Sequence, residues 1–188
     1  MEVRYINHKA KILIGQYHLS DLVKKEVFSL LENGSAAIST EDSNVKCTLH
    51  THWDWEPNNI TFKNLKSYLL NEAEIFYQPG KMSTGLVYPL KCSNFWGNVY
   101  EKGDYAQCHN HRPYDYSFAY FVKCEWYHSP LVFSDSGKKI RPKEGRFVIF
   151  PAYLDHHVPV YKHKKNRITL SGNFKVDLSI SQPSTLKK

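Results

Sequence analysis

The sequence has no long hydrophobic run. Nowhere do about 18–20 apolar residues follow one another, the length a helix needs to cross a bilayer. The longest apolar blocks, Phe118–Val122 and Phe147–Phe150, are strand-sized. The opening residues Met1-Glu2-Val3-Arg4-Tyr5 carry no basic segment followed by an apolar stretch, so no secretory signal is expected. Both absences point to a soluble, cytoplasmic protein with no membrane partner. Cysteine is sparse: Cys47, Cys92, Cys108 and Cys124 make no C-x-x-C pair. That argues against a zinc knuckle or a thioredoxin-type site and leaves free thiols packed as small hydrophobes. No internal repeat and no low-complexity segment is present, and fibrous proteins, coiled coils and small disulfide scaffolds are excluded. Acid is in short supply, with 18 Asp+Glu against 25 Lys+Arg and a formal net charge of +7. A surplus of that sign leaves a nucleic acid or an acidic protein open as partner.

What is present is an aromatic-rich chain of one-domain length. The 188 residues are 41% hydrophobic and 14% aromatic, a globular composition that favours β structure. In the first half, Glu2–His8 and Lys11–Tyr17 alternate as strands do. Leu22, Val23, Val27, Leu30 and Leu31 then recur at helical spacing, with Ser20 as N-cap and Asn33-Gly34 as stop. Ser35–Asn44 reads as a loop. Trp53 and Trp55 sit in a polar segment, where they either stack on a ligand ring or cap the core. Phe62, Leu65, Leu69, Leu70, Ala73 and Phe76 mark a second helix that closes at Gln78-Pro79-Gly80.

After Gly85 the period changes from helix to strand. Short aromatic and β-branched runs cover about 94–100, 105–111, 116–124, 131–134, 146–150, 156–161 and 166–174, with turn signals between them. Short strands at regular spacing after two helices predict a mainly β, jelly-roll or barrel-like core with helices outside. The C-terminal dozen residues are expected to fray.

Six of the ten histidines are scattered (His8, His18, His50, His52, His128 and His163) and read as surface or packing residues. The other four cluster in Gln107-Cys108-His109-Asn110-His111 and Tyr153-Leu154-Asp155-His156-His157. On an extended strand, residues two apart share a face, so Tyr105, Gln107, His109 and His111 are expected to project together. Two imidazoles side by side can chelate one metal, with His156 or His157 as the third donor if the sheet brings the strands together. Three facial ligands leave positions open for a substrate or oxygen, as a catalytic metal requires. Downstream, Arg167 and Thr169 share a strand face. A guanidinium fork with a hydroxyl beside it suits a carboxylate. Metal triad and carboxylate site together describe a pocket for a metal-chelating organic acid.

These motifs resemble the Fe(II)/2-oxoglutarate-dependent oxygenases, and within them the small phage and bacterial branch related to prolyl hydroxylases. The resemblance rests on Trp96-Gly97-Asn98-Val99-Tyr100, Gly103-Asp104-Tyr105, His109-Asn110-His111-Arg112-Pro113, Ser117–Val122, Pro142-x-x-Gly145, Phe150–Leu154 with His156, and Arg167–Ser171. It spans about residues 92–175. It implies a double-stranded β-helix over 91–175; residues 1–90, which carry no part of the resemblance, are expected to form a helix-containing N-terminal extension packed on that core, and 176–188 a tail. It implies Fe(II), 2-oxoglutarate and dioxygen as cofactors, with ascorbate as a reductant. His109, His111 and His156 would hold the iron. Arg167 with Thr169, joined by Tyr100 or Tyr120, would hold 2-oxoglutarate. The implied reaction is hydroxylation of a substrate C–H bond with release of succinate and carbon dioxide, on a protein or peptide prolyl residue, in a host cytoplasm if the chain is phage-encoded.

One position departs from the family pattern. His111 stands where a carboxylate is usual, and Asp115 or Asp155 are the alternative sources of one. With three neutral imidazoles the iron and dianionic 2-oxoglutarate sum to zero charge rather than −1, a more nitrogen-rich site open to other divalent metals. Two competing readings follow: a cupin-like three-His metalloenzyme without 2-oxoglutarate, and a module that binds nucleic acid through Lys162–Arg167 or Lys138–Arg141. The oligomeric state is left open.

Overall fold

The computed structural model describes residues 9–32, 43–55, 58–77, 86–179 and 182–183. In chain order the elements are β1 (Leu13–Gln16), α1 (Ser20–Glu32), β2 (Val45–Lys46), β3 (Leu49–His50), α2 (Ile60–Tyr77), β4 (Leu86–Val87) and β5 (Leu90–Tyr100). They continue with β6 (Tyr105–His109), β7 (Tyr116–Lys123), β8 (Leu131–Phe133), β9 (Lys138–Ile140), β10 (Arg146–Pro151), β11 (His156–Val158), β12 (Arg167–Val176) and β13 (Gln182–Pro183). The strands form a six-stranded antiparallel sheet in the order β1-β10-β7-β12-β5-β3 and a five-stranded sheet in the order β2-β6-β11-β8-β9. A small pair, β13 with β4, lies apart from both.

The larger sheet has two apolar faces, so its strands read as nearly continuous hydrophobic runs. One face, with Phe95, Val99, Phe118, Tyr120, Phe147, Ile149, Ile168 and Leu170, packs under the helices. There α2 presents Phe62, Leu65, Leu69 and Ala73, all fully buried at helical spacing, and α1 presents Val23 and Val27. Leu22 and Phe76, expected on those faces, are 49% and 40% exposed. The other face, with Tyr100, Phe121, Val148 and Phe150, looks into the space between the sheets. Gly145, at φ +76°, makes the turn into β10; a Cβ there would meet Gln16 Nε2 at 2.3 Å.

The strands expected after residue 90 are present, and β9 is an addition to them. Residues before 90 also contribute to both sheets: β1 pairs with β10, β2 with β6 and β3 with β5. The expected strand Glu2–His8, the stop at Asn33-Gly34, most of the Ser35–Asn44 loop and the close at Gln78–Gly80 lie outside the described residues. At the C-terminal end, Gln182 and Pro183 pair with β4. Among the described residues no helix is long and apolar enough to cross a membrane.

Candidate metal and carboxylate site

His109 ends β6 and His156 begins β11, and the two are directly paired across these strands. Their ring centroids are 4.4 Å apart, and His111 lies 5.0 Å from each. One donor atom from each of the three residues falls within 4.8 Å of the others, and among the described residues this is the one such group. Metal–imidazole bonds of ~2.1 Å put adjacent donors about 3 Å apart, so small side-chain rotations close the triad on an ion. His157, the alternative third donor, points away and shares a 3.0 Å hydrogen bond with Ser134 Oγ through Nδ1.

The strand alternation that brought His111 into the site on paper is not what brings it there. Opposite β11, β6 carries a bulge: His109 pairs with His156, but Ala106 rather than Gln107 pairs with Val158. Ala106 is therefore the buried neighbour that lines the site with His109, while Gln107 is exposed. The strand stops at His109. His111 is carried back by its own backbone N–H, which donates to the Ala152 carbonyl at 2.8 Å.

The tautomers follow from fixed acceptors. His109 Nδ1 is 2.7 Å from the Gln107 carbonyl and His156 Nδ1 is 2.8 Å from the Leu154 carbonyl. A carbonyl only accepts, so each Nδ1 carries the proton and each Nε2 lone pair is free for a metal. Burial holds the rings neutral: His156 is pushed down to about 4 and His111 to about 2, its histidine neighbours adding to the effect. His109 is lowered for the same first reason. Neutral imidazole is the form a metal binds.

Neither aspartate joins them. Asp115 Oδ2 accepts from the Val176 backbone at 2.8 Å, and Asp155 Oδ1 accepts from Asn110 Nδ2 at 2.8 Å. The His156 ring is oriented by the Leu154 carbonyl and not by Asp155. The group that could hold a metal ion is His109, His111 and His156.

The triad lines a pocket between the two sheets. Along one wall β5 sets Trp96, Asn98 and Tyr100 beside Ser171, Thr169 and Arg167 of β12, paired residue for residue. Arg167 is 2% exposed, with its guanidinium between the Tyr100 and Phe121 rings at 5.0 and 5.3 Å. Its Nη1 donates to the Ser129 carbonyl at 2.8 Å, its Nε has no partner, and among the described residues no carboxylate pairs with it. A buried cation left short of an anion is a site for one. Tyr100 lines this cavity; Tyr120 lies on the helix face near Tyr17 and does not. Asn98, 3% exposed beside Thr169, lines the same wall and is not among the site residues expected from the sequence, although it lies within the Trp96–Tyr100 motif.

The two tryptophans part company. Trp55 is 7% exposed and stacks on Phe95 in the core, whereas half-buried Trp53 lies 4.5 Å from Trp96 and 6.3 Å from His111. Of the basic run at 162–167, Arg167 turns inward and Lys165 pairs with Glu125 at 2.9 Å.

This architecture is a double-stranded β-helix, a fold shared with solved prolyl hydroxylases. The viral collagen prolyl hydroxylase of Paramecium bursaria Chlorella virus-1, solved with 2-oxoglutarate, superposes with a TM-score of 0.65 at 12% identity, over 88% of this chain and 96% of that one. A Pseudomonas putida prolyl-4-hydroxylase gives 0.67 at 15% identity, over 89% and 94%. A Trichoplax adhaerens prolyl hydroxylase, solved with a hypoxia inducible factor peptide, gives 0.66 at 16% identity, over 88% and 83%. In sequence, residues 134–173 match the family described as "Putative 2OG-Fe(II) oxygenase". That segment contains His156, Arg167 and Thr169. No curated protein sequence matches the chain.

Proposed function

We propose that the protein is an Fe(II)- and 2-oxoglutarate-dependent dioxygenase that hydroxylates a C–H bond, with a prolyl residue of a protein or peptide as substrate. The observation that carries this reading is one cavity with both halves of a 2-oxoglutarate site: three neutral imidazoles at one end and, on the facing sheet, an arginine with no carboxylate partner among the described residues. His109, His111 and His156 would hold the iron. Arg167 and Thr169 would take the distal carboxylate of 2-oxoglutarate, with Tyr100 as a further donor. Bound iron and 2-oxoglutarate supply oxygen activation coupled to release of succinate and carbon dioxide. The chain's own contribution is a fixed donor set, a clamped cosubstrate and aromatic walls that keep water out.

A three-His metalloenzyme without 2-oxoglutarate is the second reading, favoured by His111 in place of a carboxylate. Arg167 weighs against it, since that chemistry leaves the buried guanidinium without a purpose. The deciding experiment is anaerobic addition of Fe(II) and then 2-oxoglutarate to the metal-free protein. A visible charge-transfer band that is lost in Arg167→Ala supports the first reading. Metal binding with no band under saturating 2-oxoglutarate sinks it.

A further inference from the structure

We propose that Trp53 is the substrate-recognition residue of this site, its indole receiving the pyrrolidine ring of a proline carried on an extended peptide. The proposal rests on the hydroxylase reading above and adds the residue that selects the substrate.

Trp53 does not lie on a free loop. The segment from Val45 to Trp55 is a strap across the edge of the β-helix: β2 pairs with β6 in one sheet and β3 with β5 in the other. Beyond β3, Thr51 N donates to the Gly97 carbonyl at 3.0 Å and Gly97 N donates to Thr51 Oγ1 at 2.9 Å. The Trp53 carbonyl then accepts from Phe95 N at 3.0 Å. The strap is thus stitched to β5 alongside Trp96, and its two tryptophans go to opposite destinations. Trp55 is buried in the core on Phe95, while Trp53 goes to the metal side and stays half exposed.

Its neighbours there are Trp96, 5% exposed in the cavity wall, and the metal-site residue His111. A large indole left half exposed against Trp96 of the cavity wall and His111 is apolar surface that a ligand ring can cover. The chemistry narrows the ring. Indole faces are electron-rich and attract C–H groups polarised by a neighbouring amide nitrogen, as in prolyl rings. A lysine or arginine side chain would be drawn to the same faces. A divalent metal at His111 and a net charge of +7 oppose a cation at that place.

The test uses the full-length protein loaded with Fe(II) and 2-oxoglutarate, and two synthetic probes: a peptide of alternating proline and alanine, and the same peptide with leucine for proline. Succinate release and addition of one oxygen atom to the peptide are measured for wild type, Trp53→Ala and Trp53→Phe. Wild type is expected to respond to the proline peptide and not to the leucine one. In Trp53→Ala the charge-transfer band and the KM for 2-oxoglutarate stay unchanged while the peptide KM rises about tenfold, the order of one lost ring contact. Trp53→Phe recovers most of that loss. An unchanged peptide KM in Trp53→Ala overturns the proposal. So does an equal loss of 2-oxoglutarate binding, which marks a packing residue, or a wild type that has the band but ignores the proline peptide. A wild type without the band fails the hydroxylase reading itself, a result distinct from these.

Discussion

His109 and His156 face each other across paired strands, and each ties its Nδ1 to the carbonyl two residues before it, Gln107 and Leu154. The same local bond is made on both strands, so the two Nε2 atoms are aimed before any metal arrives. Replacing either residue by alanine removes one of three donors. We expect Fe(II) affinity to fall by roughly a hundredfold or more, about 2.8 kcal/mol, read by titration calorimetry or by metal content after dialysis. His157→Ala, which alters the residue facing Ser134, is expected to leave metal content unchanged.

Arg167 and its neighbours separate the two tyrosine candidates. Arg167→Ala is expected to raise the KM for 2-oxoglutarate about 10- to 100-fold, the range of one lost charge-assisted pair. Arg167→Lys falls between, because an ammonium keeps the charge but not the planar fork. Tyr100→Phe is expected to raise that KM a few-fold, about the worth of one hydrogen bond. Tyr120→Phe, on the opposite sheet face, is expected to leave it alone. Steady-state succinate formation against 2-oxoglutarate concentration decides; an effect of Tyr120→Phe as large as that of Tyr100→Phe would be incompatible with this placement.

The buried histidines set a pH dependence of the metal-free fold. Burial pushes His111 down to about 2 and His156 down to about 4 in the folded chain, below the ordinary histidine value of 6.5. Between about 6.5 and 4 the unfolded chain therefore binds more protons than the folded one, and stability rises with pH across that window. Urea midpoints measured in chelator are expected to be highest above pH 6.5 and to drop steadily towards pH 4. The drop should be shallower in His156→Gln. A midpoint that is flat from pH 7 to 4.5 would show that these rings are not held neutral by burial.

The helix layer can be weighed at two leucines. Leu69 of α2 is fully buried against the larger sheet, while Leu22 of α1 is half exposed. Leu69→Ala is expected to cost about 2–5 kcal/mol through lost burial and the cavity left behind, and Leu22→Ala within about 0.5 kcal/mol. Chemical denaturation of both variants measures the difference.

The pattern of residues determined much of this by itself. The change of period after Gly85 marks the β core. Two helices are legible from Val23, Val27, Leu65 and Leu69, because an apolar stripe must be buried somewhere. His109, His156, Arg167 and Thr169 stand out because two histidine clusters and an Arg-x-Thr pair together offer metal and carboxylate ligands. What only the tertiary structure decided lies where the chain departs from regular elements. The bulge in β6 exchanged Ala106 for Gln107 in the cavity, and a backbone bond to Ala152, not strand parity, brought His111 in. Tyr100 and Tyr120 are alike as sequence, and only the two-faced packing of one sheet sends one to the cavity and the other under the helices. Trp53 and Trp55, two residues apart, are divided between the histidine cluster and the core by a strap whose course depends on hydrogen bonds to β5, about 40 to 50 residues further along the chain. Local periodicity records which residues need burial. It does not record which of two buried places they reach, because that is settled by pairings between strands distant in sequence.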